Sequence, residues 1–183
     1  MTTALPEARP VGREDVMAAV IDAAADLFAS KGPAATSIRE VAARSGVNHG
    51  LVYRHFGTKE SLVAAVLDAL SEEYAAELSD TAGATERHWR VLARAILDGY
   101  PVGHLQQRFP VVTGLVESAR RSYDDEASAR LAAGHAVALA LGWQLFEPFI
   151  RSAAGMEEIP TDTLQSATRR IAGWLLQGKA VAT

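Results

Sequence analysis

The stretch that decides the fold is Thr36-Ser37-Ile38-Arg39-Glu40-Val41-Ala42-Ala43-Arg44-Ser45-Gly46-Val47-Asn48-His49-Gly50-Leu51-Val52-Tyr53-Arg54-His55-Phe56. Ser37 with Glu40 three residues on is a capping box, in which the hydroxyl accepts from the Glu40 amide and the carboxylate reaches back to the cap amide. Ile38, Val41 and Ala42 give the short helix that follows a buried stripe. It ends at Ser45-Gly46, where glycine supplies the backbone freedom for a tight turn. Asn48 caps a second short helix that runs through Phe56. Helices this short are marginal alone in water, so flanking helices must hold them, through Phe28, Ile38, Val41, Val52 and Phe56.

Outward from this unit the same periodicity recurs. Val16, Val20, Ile21, Ala24, Leu27 and Phe28 fall on one face of a helix predicted over 13–31, which Gly32-Pro33 stops. Thr58 caps the next helix, carried by Leu62, Val63, Val66, Leu67, Leu70 and Tyr74 to about Asp80. After a seam at Thr81-Ala82-Gly83-Ala84, helices are expected at about 86–100, 110–122, 124–154 and 161–176, with an irregular piece around 101–109 and a bend at Pro148. No segment alternates with period two between turn signals, so the fold class is all-α, with no sheet. The segment before Arg13 reads as a flexible arm over residues 1–12; it has no apolar core and is no signal peptide.

Composition narrows the function. The chain has 183 residues, 49% hydrophobic and 22% charged, and no cysteine. It reads as a globular protein large enough to bury roughly 70% of its unfolded surface, with no disulfide scaffold, thiolate zinc site or thiol nucleophile. The run 131–150 is nearly uncharged, but His135, Gln144, Glu147 and Pro148 interrupt it. It therefore reads as a buried helix and not a membrane span. The net charge of −4 lies entirely after Glu60, because residues 1–60 carry seven basic and seven acidic side chains. Between Arg39 and Lys59 the one acid is Glu40, so this window alone is suited to approach a polyanion.

Asn48, His49, Tyr53, Arg54 and His55 crowd beside Gly50, which has no side chain to block close approach. Asparagine can pair with adenine in the major groove, and tyrosine, histidine and arginine can donate to phosphate oxygens. Lys59 adds a cation at the start of the following helix. A solvated Tyr/His surface patch is the alternative reading of these residues. Thr36-Ser37-Ile38-Arg39-Glu40-Val41-Ala42, Gly46-Val47 and Tyr53-Arg54-His55-Phe56-Gly57-Thr58-Lys59-Glu60-Ser61-Leu62 together resemble the signature of the tetracycline-repressor (TetR) family of transcriptional regulators, over about residues 13–70.

The resemblance implies a homodimer, with a three-helix helix-turn-helix DNA-binding head over 13–73 and a helical ligand-binding and dimerisation domain over 74–183. It places Ser37, Tyr53, His55 and Lys59 on phosphates, and Arg39, His49, Gly50 and Leu51 at base edges, with Asn48–Phe56 as the recognition helix. Two residues depart from the common pattern. His49 stands where many members carry lysine or arginine, and Leu51 where many carry a small or hydroxylated residue. Leu51 can touch a thymine methyl but cannot hydrogen-bond. The implied partners are a double-stranded operator, a small-molecule effector and a second copy of the chain, with no membrane and a cytoplasmic setting.

The C-terminal half carries fewer signals. Trp89, Tyr100, Phe109, Trp143, Phe146 and Phe149 can line an effector pocket, with His104 and His135 as polar anchors. Ordinary core is the competing reading. Gly142 to Phe149 resembles the penultimate helix of some family members, and the small residues of 132–140 and 172–173 would let the last two long helices pair across a dimer axis. A helical enzyme and a protein-binding head remain open as alternatives. Against the enzyme, no Glu-x-x-His pair, His-Glu-x-x-His helix, P-loop or Gly-x-Ser-x-Gly elbow is present. Asp124-Asp125-Glu126 is explained by the dipole of the helix it opens, so no cofactor or metal is expected.

Overall fold

The structure, a computed structural model, describes residues 12–77 and 85–179. The expected arm (except Gly12) and the seam at Thr81–Ala84 lie outside the described residues. Among these there are nine helices and no strand: α1 Arg13–Lys31, α2 Ile38–Ser45, α3 His49–Phe56, α4 Lys59–Glu77, α5 Thr85–Leu97, α6 Val102–Leu105, α7 Pro110–Ala119, α8 Glu126–Ala153 and α9 Thr161–Leu176. The described residues up to Arg108 form one compact unit and those from Phe109 form another.

In the first unit, α1 packs against α2, α3, α4 and α5, and α6 sits on α4 and α5. Its core joins Val20 and Phe28 of α1 to Val41 of α2, Val52 and Phe56 of α3, Leu62, Val66 and Leu67 of α4, and Val91 of α5. The apolar stripes that periodicity assigns to each helix thus meet in one cluster. Ion pairs tie its rim: Arg44 of α2 to Asp26 at 2.6 Å, and Arg87 of α5 to Asp22 at 2.6 Å and Asp26 at 3.2 Å.

The caps form as their sequence signals require. Ser37 Oγ accepts from the Glu40 amide at 3.2 Å, and the Glu40 carboxylate accepts from the Ser37 amide at 2.8 Å. Thr58 Oγ1 accepts from the Ser61 amide at 3.1 Å, opening α4. At the end of α2, Gly46 adopts φ 66° and ψ 14°, a left-handed conformation that costs glycine nothing. The Val47 amide then donates to the Ala42 carbonyl at 3.1 Å, closing a Schellman-type turn with Val47 buried.

The structure differs from the sequence expectation at the ends of α5 and α7 and around residues 101–109; α7 stops at Ala119, short of the expected 122. α5 stops at Leu97, where the Tyr100 amide turns back to the Ala95 carbonyl at 3.0 Å, short of the expected Tyr100. The stretch 101–109, expected to be irregular, holds the single turn of α6, too short to show a period in sequence.

In the second unit, α8 packs against α7 and α9. Asp125 caps α8 by accepting from the Ser128 amide at 2.8 Å, and Glu126 bridges Arg120 and Arg130 at 2.7 Å each. These contacts hold both carboxyls well below their usual range, Asp125 through its bonds to Ser128 and Glu126 down to about 2 through Arg120 and then Arg130. α8 continues through Pro148, which contributes no donor to the ladder. Among the described residues no helix is long and apolar enough to cross a membrane.

Candidate nucleic-acid interface

α3 has eight residues, about 12 Å of helix. Val52 (0% exposed) and Phe56, one turn apart, anchor it in the core. That fixes the opposite side outward: Tyr53 is 67% exposed and Leu51 38%, with Asn48, His49, Gly50 and Arg54 also exposed. His55 is half-buried at the edge of this face. Arg39, near the start of α2, is exposed, and among the described residues neither Arg39 nor Arg54 forms an ion pair. The two short helices therefore present donors outward, with the guanidinium groups of Arg39 on α2 and Arg54 on α3 outside any ion pair among the described residues.

Three side chains on this surface are already engaged. Asn48 Oδ1 accepts from the Gly50 amide at 2.8 Å, capping α3. A Cβ on residue 50 would come within 3.2 Å of that oxygen, so glycine here accommodates the cap. With its carbonyl oxygen committed, the outward group of Asn48 is its amide NH2. The two-sided pairing with adenine needs a free acceptor as well, so the cap biases Asn48 toward acceptors such as guanine N7 or a phosphate oxygen.

Ser37 Oγ both accepts from the Glu40 amide and donates to Glu40 Oε2 at 3.0 Å. Lys31 stands 2.5 Å from the other oxygen of Glu40, and chiefly through this cation the Glu40 carboxyl is held down to about 2. A carboxylate so fixed balances one cation beside α2. Lys59, half-buried, donates through Nζ to the Ala34 carbonyl at 3.1 Å, leaving two of its three protons for another acceptor.

The residues expected around an effector divide between the two units. In the first, Trp89 is buried, Tyr100 half-buried and His104 exposed. In the second, Trp143 is half-buried, whereas His135, Phe109 and Phe146 are exposed. Trp89 belongs to an aromatic cluster, edge-on to Tyr74 at 5.1 Å and to His88 at 4.8 Å. Burial pushes the His88 imidazole down to about 4, against the opposing effect of a hydrogen bond with the Leu70 backbone. Its Nδ1 and the Trp89 Nε1 are buried without a hydrogen-bond partner among the described residues. His88 carries no signal in the sequence beyond its place beside Trp89. Among the described residues no group of three or more His, Asp or Glu could hold a metal ion.

A capped helix, a left-handed glycine turn and a second helix with its polar face outward define a helix-turn-helix element of the kind that enters the major groove. Residues 20–66 match the model of the tetR family of bacterial regulatory proteins. The chain is 57% identical over 162 residues to the HTH-type transcriptional repressor Rv3405c of Mycobacterium tuberculosis, covering 85% of this chain and 86% of that protein. The HTH-type transcriptional regulator Mb3439c of Mycobacterium bovis matches with the same identity and coverage. A crystal structure of a transcriptional regulator from Rhodococcus sp. Rha1 has a TM-score of 0.65 at 26% identity, covering 91% of this chain and 99% of that one. The chain belongs to the TetR family of transcriptional regulators, and is a DNA-binding regulator and not an enzyme.

Proposed function

We propose that this chain is a cytoplasmic, homodimeric repressor that binds a palindromic operator through α3 and leaves it when a small-molecule effector binds. The observation that carries this reading is the outward face of α3, with Tyr53 two-thirds exposed beside a fully buried Val52. Arg39, His49, Gly50 and Leu51 lie at base edges, and Tyr53, His55 and Lys59 on phosphates. Ser37 joins the phosphate contacts by exchanging its bond to Glu40 for one to DNA. Tyr53→Phe and Lys59→Ala should weaken binding to all duplexes alike, Lys59→Ala with a salt slope shallower by about 0.9. His49→Ala should instead relax preference at particular base pairs by about 1–3 kcal/mol. It is a cleaner probe than Asn48→Ala, which also removes a helix cap. Anisotropy titrations on selected and scrambled duplexes separate the two classes; identical behaviour would refute the division of roles.

Residues 13–73 form the DNA-binding part and 74–183 the ligand-binding and dimerisation part in this reading. Support for dimerisation comes from α8, where Leu131, Phe146 and Phe149 are 60%, 57% and 71% exposed. Phe146 and Phe149, three residues apart, are neighbours on this helix, and large apolar side chains exposed together mark a contact site. With α9 they form the contact between copies, which holds two recognition helices about 34–36 Å apart, one turn of DNA. Phe146→Glu with Phe149→Glu should yield a monomer by light scattering and lose preference for palindromic sites. A dimer of unchanged stability would move the interface elsewhere.

The unpartnered Nδ1 of His88 and Nε1 of Trp89 supply an acceptor and a donor for an effector. Release follows if the effector prefers a head spacing that the operator disfavours. Calorimetric titrations with and without operator must then show the two bindings opposing each other; independent binding would remove the effector from the account.

A further inference from the structure

The turn between α1 and α2 is held by a carboxylate far from it in sequence. Asp98 follows the last residue of α5, and its Oδ2 accepts from the Ala34 amide at 2.7 Å. The approach is so close that a Cβ on Gly32, which has φ +85°, would lie 2.7 Å from the same oxygen. On the other side of the Ala34 Cα, the Ala34 carbonyl accepts from Lys59 Nζ at 3.1 Å. Within the turn, the buried Thr36 hydroxyl donates to the Gly32 carbonyl at 2.8 Å. One turn before Asp98, Arg94 Nε donates to the Ala29 carbonyl at 3.1 Å, in the last turn of α1. Arg87, seven residues before Arg94, reaches α1 as well. Spacings of seven and four align Asp98, just past the end of α5, with the face of α5 that carries Arg87 and Arg94.

An acid at the C-terminal end of a helix opposes the helix dipole. A carboxylate in the head of a DNA-binding protein also repels phosphate. Asp98 is unfavourable on both counts, and what it supplies is the bond to Ala34. We infer that Asp98 is a positioning residue for DNA binding: by fixing Ala34 it sets the carbonyl that aims the Lys59 ammonium at a phosphate. α5 thereby acts on the strength of a backbone contact without touching DNA. The inference rests on the reading of Lys59 as a phosphate contact.

The sign of one comparison tests it. Asp98→Ala and Asp98→Asn remove the same charge, but the asparagine carbonyl can still accept from the Ala34 amide. Charge alone predicts that both variants bind a labelled random-sequence duplex slightly more tightly than the parent. Positioning predicts that Asp98→Asn binds at least as well as the parent and that Asp98→Ala binds roughly three- to tenfold more weakly than Asp98→Asn, with a salt slope shallower by as much as about 0.9. In a Lys59→Ala background the two Asp98 variants should converge. Because folding losses appear in both backgrounds, convergence separates aiming of Lys59 from a general loss of structure. Equal affinities of the two variants, or a gap that persists without Lys59, overturns the inference. A parent protein that binds no duplex at low salt overturns instead the DNA reading on which it rests.

Discussion

Replacing Phe28 by alanine is expected to destabilise the head by about 3–5 kcal/mol and to abolish DNA binding near physiological temperature, although the ring is placed to touch no nucleic acid. Phe28 is 1% exposed and belongs to the cluster that joins α1 to Val41, Val52, Phe56 and Leu62. α2 and α3 have eight residues each, well below the length at which a helix persists in water. Their order is borrowed from this cluster. A loss of this size is a large share of the 5–15 kcal/mol that holds a typical domain, and should lower the unfolding midpoint by about 10 °C or more. Leu51→Ala is the contrast, since Leu51 lies on the outward face of α3. It should change stability by less than about 0.5 kcal/mol while altering duplex preference. Melting curves and duplex titrations on both variants check the pair. A Phe28→Ala protein that melts like the parent would mean that the cluster does not hold the head.

The second large effect is acid sensitivity arising from His88. Its folded-state imidazole is pushed down from 6.5 to about 4, first by burial. Unfolding frees the group to take a proton near 6.5, so the unfolded chain binds more protons between those two values. Its contribution to stability is therefore complete above pH 6.5 and declines as pH falls from 6.5 toward 4, by as much as about 3 kcal/mol. Glu40 and Glu126 act in a lower window: both are held to about 2 when folded, against 4.5 when free, so their contributions are lost below pH 4.5. The decline between pH 6.5 and 4.5 should thus be reduced in His88→Gln and retained below 4.5. Denaturant unfolding across that range decides it, and equal slopes in parent and variant would remove His88 as the cause.

What the sequence made legible was local. The capping box needs only Ser37 and Glu40 at a separation of three, and the turn needs only a glycine where the backbone becomes left-handed. The buried stripes of α1 to α4 follow from helical periodicity, and their convergence follows because no single stripe has another surface to cover it. What stayed hidden depends on contacts distant in sequence. The Asp98–Ala34 bond spans 64 residues, and nothing near Asp98 marks it as more than an acid at a helix end. The Asn48 side chain shows a different gap: its type fits both the helix cap and adenine recognition, and the hydrogen bond from Gly50 shows that the cap forms and occupies the oxygen that adenine would also need. The C-terminal aromatics were ambiguous because core, pocket and interface share one composition. Trp89 is buried, whereas Phe146 and Phe149 face outward.

In the proposed complex the outward side of α3 meets double-stranded DNA. Backbone amide shifts followed by NMR during titration with a selected duplex test it directly. The largest changes should fall within residues 48–59, with smaller ones at Ser37 and Arg39. Tight binding that leaves 48–59 unperturbed while shifting another surface would contradict it.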